Sequence, residues 1–575
     1  MDRPDAPAWV VLGSAGDEIA AAFLDDAGRE FAREAVPRVD MASWIGRVEA
    51  DVAPRWVWND TARWYATLLD RGARIGRCHD LRLCHLILRG SSLVQESADV
   101  RLPSSWDAAS SPDADAAAPA LFTLDEAGPS GPPADVDAAL AEFTRQRTAI
   151  AGSADPGRLR LLTAAESAGA LVAAELRSAG LPWDAAEHDR ILVETLGERA
   201  RGGGQPAKLA EAAARVREAL GDASASLDSQ PKLLRALHRV GVLVESTSRW
   251  ELAEQRHPVV EPLLEYKKLA RLLSANGWAW LDEWVADGRF RPVYVPGGVV
   301  TGRWASSGGG ALQLPRQLRE AVRADPGWRL VIADVAQLEP RVLAAMSADT
   351  ALAAAARGRD LYAGIVDSGA VASRAEAKIA ILGAMYGATT GESGRLVPRL
   401  RRAYPRAMGL VDAAARVGED GGAVSTWLGR TSPSPSPEWS DAQARATEAE
   451  ASGADETRAR RWARDRGRFT RNFVVQGTAA EWALAWIADL RNRLAAIPPV
   501  DPGRAAPRSG PAFERQPHLA FFLHDEVIVH TPAQHADDAA QAVTDAAAAA
   551  GRLLFGDFPL DFPLDVRIAE TALKD

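Results

Sequence analysis

The stretch from Trp328 to Val335 reads WRLVIADV, and the stretch from Phe521 to Val529 reads FFLHDEVIV. The first is an apolar run rich in β-branched residues, which predicts a buried strand carrying a carboxylate, Asp334, near its end. The second predicts two strands joined by a tight turn with acidic residues at the tip. A buried strand holds its last side chains rigidly, so these two stretches place acids at defined positions.

Asp334 and Asp525 together suit phosphoryl transfer assisted by two metal ions. That chemistry needs carboxylates from separate rigid strands, which hold two Mg²⁺ ions roughly 3.5 to 4 Å apart. For either acid alone, a solvated strand end or turn is an equally good interpretation.

A third motif runs from Arg374 to Gly387 and reads RAEAKIAILGAMYG, which is helical by composition. Arg374 and Lys378 are one turn apart, so both cations lie on one face. Two cations so placed repel each other in an isolated helix but are useful if a triphosphate lies across them. An amphipathic helix with a solvated basic edge is the alternative.

A fourth motif places Arg468, Asn472 and Gln476 at intervals of four residues, followed by the sequence GTAA. Such a polar stripe suits hydrogen bonds to sugars and minor-groove edges, whose acceptors depend little on base sequence. A plain solvent-exposed helix face would show the same pattern.

These elements stand in the chain order of the family A DNA polymerases, which include bacterial DNA polymerase I. The segment Asp334-x-x-Gln337-x-Glu339-x-Arg341 resembles motif A of that family, Arg374-x-x-x-Lys378 through Tyr386-Gly387 resembles motif B, and His524-Asp525-Glu526 resembles motif C. The upstream Thr301-Gly302-Arg303, Leu312-Gln313 and Pro315-Arg316 also fit, and the similarity runs from about Leu176 to the C-terminus. We expect a fusion of the actinobacterial type, without the separate 5′ nuclease domain that precedes many members.

The resemblance implies a multidomain α/β fold in the form of a right-hand polymerase. The expected thumb is helical and spans 156–295, the fingers span 353–475, and the palm is formed by 296–352 and 476–575. A degenerate exonuclease-like domain of the ribonuclease H type would occupy 1–150. The implied reaction adds dNTPs to a primer 3′-hydroxyl with two Mg²⁺ ions, or Mn²⁺, on primed template DNA. The protein would act as a monomer in replication or repair at the bacterial nucleoid.

The site residues carry over from the family by position. Metal binding is implied for Asp334 and Asp525, with catalytic support from Glu526 and from Lys378, which would also protonate pyrophosphate. Substrate binding is implied for Arg374, Lys378, Glu339, Gln337, Leu382, Tyr386 and His524. DNA binding is implied for Arg303, Arg316, Arg468, Asn472 and Gln476. Glu339 would exclude a 2′-hydroxyl, Tyr386 would sit at the templating position, and His524 would lie near the primer end.

Four positions depart from the family pattern. Val335 and Ala336 replace the usual Tyr and Ser, and Tyr362 stands where a phosphate-binding His is usual. Leu382 replaces the aromatic residue that packs on the nucleotide sugar. These changes predict altered nucleotide affinity and fidelity, whereas the metal site is complete.

The N-terminal 150 residues resemble the proofreading exonuclease of the family but lack its carboxylates. The early strand ends in Gly13-Ser14-Ala15 in place of Asp-x-Glu, and Arg63 stands one turn after Asn59. The stretch from Asp135 to Ile150 contains no tyrosine, and Asp80 alone remains. Two-metal hydrolysis needs several converging acids, so we expect no proofreading.

Cys78, His79, Cys84 and His85 raise the alternative of a zinc site in this region. Their spacing matches no structural zinc motif, and core packing is the favoured interpretation. With only two cysteines and no apparent secretory signal, the sequence is typical of a cytoplasmic protein.

The net charge of −10 is unusual for a DNA-binding protein, but the arginines cluster beside the motifs. Helical patterns dominate from Leu159 to about Trp280, with a helix start predicted at the stretch Asp228-Ser229-Gln230-Pro231. The segment from Pro103 to about Pro133 predicts a loop. The segment from Thr431 to Ser440 also predicts a loop, because proline alternates through it.

Two other functions remain compatible with the motifs. A single-subunit RNA polymerase shares the expected palm, although Glu339 should exclude ribose. A DNA-binding pseudo-polymerase would act as a scaffold, but the presence of both aspartates with Arg374 and Lys378 favours an enzyme.

Overall fold

The computed structural model describes residues 6–108, 131–199, 204–358, 360–388, 391–448 and 450–573. The chain forms two compact units. The first comprises Met1–Gly180, Val293–Ser307 and Pro326–Ala569, and the second comprises Leu181–Pro292, Gly308–Asp325 and Glu570–Asp575. None of the helices in the described ranges is long and apolar enough to cross a membrane.

The first unit begins with a five-stranded mixed sheet in the order β3-β2-β1-β4-β5. Its strands are β1 Trp9–Ala15, β2 Glu18–Leu24, β3 Glu30–Pro37, β4 Arg55–Trp58 and β5 Arg77–Asp80. Its helices are α1 Met41–Val52, α2 Thr61–Asp70, α3 Leu81–Gly90, α4 Val136–Ala151 and α5 Pro156–Ala179. Strands β1, β4 and β5 are parallel, so their carboxyl ends share one edge. The strand expected from Trp9 is confirmed. Most of the loop expected near Pro103 to Pro133 lies outside the described residues.

The second unit is mainly helical, as the sequence predicts. Its helices are α6 Ala185–Leu196, α7 Ala207–Leu220, α8 Gln230–Arg239, α9 Arg249–Ala253, α10 Val260–Asn276 and α11 Trp278–Trp284. The short strands β6 Leu181–Pro182, β7 Val285–Ala286 and β8 Arg289–Phe290 pair in the order β6-β8-β7. Ser229 is the N-cap of α8 and a proline lies in the first turn, which confirms the predicted helix start.

The rest of the first unit contains a four-stranded antiparallel sheet in the order β12-β13-β11-β14. The strands are β9 Val293–Val295, β10 Ala305–Gly308, β11 Trp328–Val335, β12 His518–Leu523, β13 Glu526–Pro532 and β14 Leu564–Ala569, of which β9 and β10 pair separately. The predicted strand and hairpin are therefore confirmed. β11 is central and buried along most of its length, which explains its nearly continuous apolar run.

Among the described residues, nine α-helices accompany this sheet in the first unit. They are α12 Leu338–Met346, α13 Thr350–Ala356, α14 Leu361–Asp367, α15 Arg374–Tyr386, α16 Gly391–Ala403, α17 Pro405–Glu419, α18 Pro437–Ala446, α19 Gly453–Ala496 and α20 Ala536–Phe555. The predicted helix of the third motif is α15, capped by Ser373 and ended by Gly387 at φ 72°. Helix α20 packs on the sheet, and α19 contacts β12.

The expected loop from Thr431 to Ser440 is wrong at its C-terminal end. Helix α18 begins at Pro437, with the Ser436 hydroxyl accepting a hydrogen bond from the Trp439 amide. Proline is compatible with a first helical turn, because its missing N–H would have no partner there. The alternating prolines therefore delay the helix without preventing it.

Candidate active site

The two predicted metal-binding aspartates are neighbours at one end of the antiparallel sheet. Asp334 pairs in register with Glu526 across β11 and β13. The amide of Val335, the next residue, donates a 2.8 Å hydrogen bond to the backbone oxygen of Asp525. Backbone pairing of buried strands thus brings Asp334 and Asp525 together from positions far apart in the chain.

The turn between β12 and β13 holds Asp525 in a constrained backbone. His524 adopts φ 54°, in the left-handed region that a non-glycine residue seldom visits. The Asp525 amide donates a 2.6 Å hydrogen bond to the backbone oxygen of Leu523, which closes the turn tightly. Strained backbone of this kind costs about 1 to 3 kcal/mol and is concentrated at functional sites.

The electrostatics of this end of the sheet favour a bound cation. Burial and the adjacent negative charge of Asp334 raise the pKa of Asp525 to about 6. Hard oxygen ligands are what Mg²⁺ prefers, and it is commonly held by one or two carboxylates plus substrate phosphates. Within the described residues, no group of three or more His, Cys, Asp or Glu side chains could hold a metal ion. The aspartate pair would therefore need substrate oxygens or water to complete the coordination.

A cavity of about 340 Å³ opens beside this pair. The predicted site residues that line it are Arg303, Gln337, Glu339, Lys378, Leu382, Tyr386, His524 and Asp525. Burial and the charge of Arg303 lower the pKa of His524 to about 4, so the imidazole is neutral near pH 7. Three motifs remote in sequence thus converge on one space.

Glu339 lies at the centre of a hydrogen-bond cluster in the cavity wall. The Tyr386 hydroxyl donates to Glu339 Oε2 at 2.6 Å, and Arg303 donates to Glu339 Oε1. Burial and the Glu339 charge raise the pKa of Tyr386 above its ordinary value. Glu339 is therefore held firmly at the cavity, which suits a residue that limits the size of the group bound there.

The two cations of α15 have different environments. Lys378 lines the cavity, and within the described ranges its ammonium makes no hydrogen bond or ion pair. Arg374 donates to Asp360 Oδ2 at 2.6 Å, and its guanidinium carbon lies 5.4 Å from the ring centroid of Tyr362. Asp360 and Tyr362 were not predicted to hold Arg374, although the sequence shows an acid two residues before Tyr362.

Gln337 has a local structural role as well as a place in the cavity wall. It adopts φ 51° at the N-cap of α12, and its side-chain oxygen accepts a 3.2 Å hydrogen bond from the Leu361 amide. Arg341, from the same motif, is fully buried and donates to the backbone oxygens of Ala336 and Ala356. Gln337 and Arg341 therefore stabilise the backbone around motif A, the segment that also carries Asp334.

The predicted polar stripe lies on α19. Gln476 accepts a 3.1 Å hydrogen bond from the Thr301 hydroxyl, which joins this helix to the segment containing Arg303. A Cβ added at Gly477 would meet the Thr426 side chain at 2.4 Å, so glycine permits this close packing. Asn472 is half-buried, and its side-chain oxygen has no hydrogen-bond partner in the part of the chain that is described.

Arg468 lies away from the first cavity. It pairs with Asp465 and packs against Gly387, where an added Cβ would be 2.7 Å from its Cγ. A second cavity of about 490 Å³ adjoins this contact and is lined by Arg401, Arg461, Arg464, Arg468 and Arg471, among other residues. The structure places Arg316 in the second unit, and it does not bring Arg316 to either cavity.

The floor of the first cavity includes aromatic residues that sequence reasoning missed. Trp304 is buried, and its ring lies 4.8 Å from Phe522, which precedes the hairpin turn by two residues. Leu382, which departs from the family pattern, also lines the cavity. The sequence signal that could have identified Trp304 was its position, since it directly follows Arg303, a predicted DNA-binding residue.

Asp60 and Asp80, at the carboxyl ends of β4 and β5, are engaged in local contacts. Asp80 accepts hydrogen bonds from the amides of Thr61 and Leu83 and from the Thr61 hydroxyl. Asp60 caps α2 and pairs with Arg82 at 3.2 Å. Both acids are therefore committed to capping helices and neutralising an arginine.

The zinc alternative is not supported by the geometry of the described residues. Burial raises the pKa of both Cys78 and Cys84, and within the described residues no group of three or more His, Cys, Asp or Glu side chains could hold a metal ion. Cys84 Sγ lies 3.9 Å from His79 Nδ1, and His85 contacts Glu142 at 2.8 Å. Both cysteines are buried, which confirms the core-packing prediction.

Comparison with known proteins adds three findings. A family model described as DNA polymerase family A matches residues 209–572. DNA polymerase I of Chloroflexus aurantiacus is 29% identical in an alignment that covers 55% of this chain and 32% of that protein. The thermostable DNA polymerase I of Thermus filiformis is 26% identical in an alignment that covers 54% of this chain and 36% of that protein. The chain thus spans about a third of the length of these relatives.

The structural comparison covers nearly the whole chain. A solved structure described as the POL domain of Pol1 from M. smegmatis, in complex with DNA primer-template and dNTP, aligns with a TM-score of 0.66 at 17% identity. The alignment covers 98% of this chain and 95% of that one. At this identity the comparison shows a shared fold.

Proposed function

Since the chain belongs to DNA polymerase family A, we propose that it is a DNA-templated DNA polymerase, which transfers a nucleotidyl group from a dNTP to a primer 3′-hydroxyl. The observation that carries the proposal is the convergence of Asp525, Lys378 and Glu339 on one cavity, with Asp334 held beside Asp525 by strand pairing. This arrangement offers negative charge for cations, positive charge for phosphates and a size limit for the sugar in adjoining positions.

Asp334 and Asp525 are the proposed holders of two Mg²⁺ ions. The fit rests on one oxygen donor at the end of β11 and another in the tight turn between β12 and β13. Burial and the charge of Asp334 raise the pKa of Asp525 to about 6, and a bound cation would offset the repulsion between the two acids. When bound, the ions would supply Lewis-acid activation and charge neutralisation at the reacting phosphate. The same site could accept Mn²⁺.

Lys378 is the proposed cationic partner of the triphosphate. Its ammonium lines the cavity and carries no competing carboxylate within the described residues, so a phosphate oxygen would be its first partner. It is also placed to give its proton to the pyrophosphate oxygen as the bond to the transferred phosphorus breaks. Arg374 would have to share its charge between Asp360 and a phosphate.

Glu339 is the proposed sugar discriminator. Two hydrogen bonds hold its carboxylate in the cavity wall, and both would have to break for it to move aside for a 2′-hydroxyl. Tyr386 and Leu382 would contact the nucleotide on the α15 side, and His524 would lie beside the primer end. Gln337 would bound the same pocket.

The remaining roles are assigned to the surrounding elements. We propose that the second unit is the thumb, that α13 to α18 form the fingers, and that the antiparallel sheet forms the palm. Arg303, Arg316, Arg468, Asn472 and Gln476 would contact primed DNA. The N-terminal sheet with α1 to α4 would be a degenerate exonuclease-like domain. The enzyme would work as a monomer at the bacterial nucleoid, in replication or repair.

The proposal is tested by primer extension with Asp334→Asn and Asp525→Asn. An amide is a poor Mg²⁺ ligand, so both variants should lose extension, by about three orders of magnitude or more, while they keep binding primed DNA. Asp441→Asn, at an exposed position on α18, is the matched control and should extend normally. Full activity in both site variants would overturn the metal assignment.

The same assay separates the competing functions. A wild-type protein that binds primed DNA without extending it with any dNTP would be a pseudo-polymerase. Extension with rNTPs in preference to dNTPs would indicate an RNA polymerase.

A further inference from the structure

A third cavity, distinct from the two described above, lies in the N-terminal part of the first unit, at the end of the sheet opposite the acidic ends of β4 and β5. Trp9, Arg55 and Arg77 begin the parallel strands β1, β4 and β5 and are neighbours in register across the sheet. Asp60 follows the carboxyl end of β4, and Asp80 is the last residue of β5. The cavity is therefore at the opposite edge of the sheet from the place where a nuclease site would be sought.

Four arginines surround this cavity, which has a volume of about 480 Å³ and is named here the arginine pocket. They are Arg55, Arg77, Arg147 and Arg160. Within the described ranges none of the four forms an ion pair with a carboxylate. Asp26, exposed on the rim, is the acid among the lining residues, so the pocket keeps an excess of positive charge.

Aromatic rings hold two of these guanidinium groups in place. The Arg55 guanidinium lies 5.6 Å from the ring centroid of Trp9, and that of Arg147 lies 5.5 Å from both Trp9 and Phe143. Cation–π contact orients a guanidinium without neutralising its charge. These arginines are therefore arranged in advance for a ligand that supplies the missing negative charge.

Within the described residues, most of the N–H donors of these guanidinium groups make no hydrogen bond. Arg55 donates to the Cys78 carbonyl, Arg77 to the Ala53 carbonyl and Arg147 to the Asp26 carbonyl. Each guanidinium has five N–H donors, so several remain on each group. Arg147 Nη1 is buried and has no hydrogen-bond partner in the described part of the protein.

Like charges on adjacent strands are unfavourable unless something compensates them. Arg55 and Arg77 are directly opposite each other on β4 and β5, an arrangement that destabilises a sheet. Burial and the charge of Arg77 lower the pKa of Arg55, as expected for a cation lacking an anionic partner. His79 adds no charge to the pocket, because burial lowers its pKa to about 4.

We propose that the arginine pocket is a binding site for the phosphate group of a nucleotide. Guanidinium groups match phosphate oxygens in planar, paired hydrogen bonds, and phosphate is the anion that arginine clusters bind best. The cavity is larger than a phosphate group alone and is in the size range of small-molecule sites, so it leaves space for an attached nucleoside. The phosphate can come from a free nucleotide or from a DNA strand, and the test separates these sources.

The test compares two charge-reversal variants of the full-length protein. Arg77→Glu combined with Arg160→Glu changes two exposed arginines of the pocket, so folding should be preserved. Arg47→Glu combined with Arg63→Glu makes the same change in charge at exposed positions of the same domain outside the pocket. Primer extension by both variants serves as the check on folding.

Binding is measured by calorimetry, without Mg²⁺, for inorganic phosphate, dTMP and a 5′-phosphorylated dT oligomer. The proposal expects the pocket variant to bind at least one probe about tenfold or more weakly than wild type, with the control variant close to wild type. Weakening for phosphate and dTMP would identify a free nucleotide, and weakening for the oligomer alone would identify a DNA strand. If the two variants bind all three probes equally, the proposal is wrong.

Discussion

Replacement of Glu481 by Gln should change how the stability of the protein depends on pH. Glu481 lies on α19, is buried, and accepts hydrogen bonds from the Thr426 hydroxyl and from the Leu428 amide at 2.9 Å. Arg430 is nearby, but it pairs with a second buried acid, Glu166, at 2.6 Å. Arg430 is therefore close to two buried carboxyl groups, and of these Glu481 makes no direct ion pair within the described ranges.

The magnitude follows from the pKa of this carboxyl group. Burial raises the pKa of Glu481 from 4.5 to about 7, an effect that the hydrogen bonds and Arg430 only partly offset. Because the folded state favours the protonated acid, the stabilisation is complete below pH 4.5 and is lost as the pH rises through about 7. At about 1.4 kcal/mol per pKa unit, the loss is about 3 kcal/mol, a figure good to its order of magnitude.

Glutamine removes this titration while it keeps the local contacts. Its oxygen can accept from the Leu428 amide, and its NH₂ group can donate to the Thr426 hydroxyl oxygen. The free energy of unfolding of Glu481→Gln, relative to that of wild type, should therefore increase by about 1 to 3 kcal/mol between pH 5 and pH 8, which means that the variant gains stability relative to wild type.

The assay is urea unfolding at several pH values, followed by tryptophan fluorescence and compared between proteins at each pH. Glu450→Gln, at an exposed position, is the matched control and should track wild type throughout. A difference between Glu481→Gln and wild type that stays constant from pH 5 to pH 8 would refute the reasoning. So would a difference of the opposite sign.

Three further predictions concern the proposed activity. Glu339→Ala should raise rNTP incorporation about tenfold or more, because it removes the carboxylate that blocks a 2′-hydroxyl; an unchanged ratio of dNTP to rNTP use in single-nucleotide extension would exclude that role. Leu382→Phe should lower KM for dNTP a few-fold, since an aromatic contact contributes about 0.5 to 1.5 kcal/mol, whereas an unchanged KM would show that the pocket is adapted to Leu. The wild-type protein should not shorten a 3′-mismatched primer with Mg²⁺ or Mn²⁺ and no dNTP; progressive shortening that persists in Asp334→Asn would contradict this.

The local parts of the site could be predicted because short-range physics determines them. The apolar run before Asp334 can be buried only as a central strand, and the helical composition before Gly387 gives α15 its bounds. The turn at His524 follows from two apolar runs separated by polar residues. In these places sequence pattern and tertiary structure agree, and the resemblance to the polymerase family is confirmed by the family model.

The contacts that shape the site could not be predicted, because they join residues remote in sequence. Nothing local indicates that Tyr386 hydrogen-bonds Glu339, which is 47 residues away. The spacing of Arg374 and Lys378 predicts a shared face, but their partners depend on how α14 packs on α15. The ion pair of Arg374 with Asp360 is therefore a tertiary result. The roles of these residues in catalysis stay predictions.

The N-terminal sheet shares a core with the antiparallel-sheet region, which gives a physical reason for its presence. Arg491, on α19, is buried and donates to Glu175 at 2.7 Å, to the Tyr65 hydroxyl at 3.2 Å and to the backbone of Gly76. Phe513, from the segment before β12, packs in the same hydrophobic cluster as residues of β1 and β4. Loss of the N-terminal sheet would leave the ion pair of Arg491 with Glu175 on α5 but would remove the Tyr65 hydroxyl and the Gly76 backbone oxygen, and it would expose Phe513. A buried donor left without a partner costs about 1 to 3 kcal/mol, so these contacts stabilise the protein whether or not the sheet has an activity of its own.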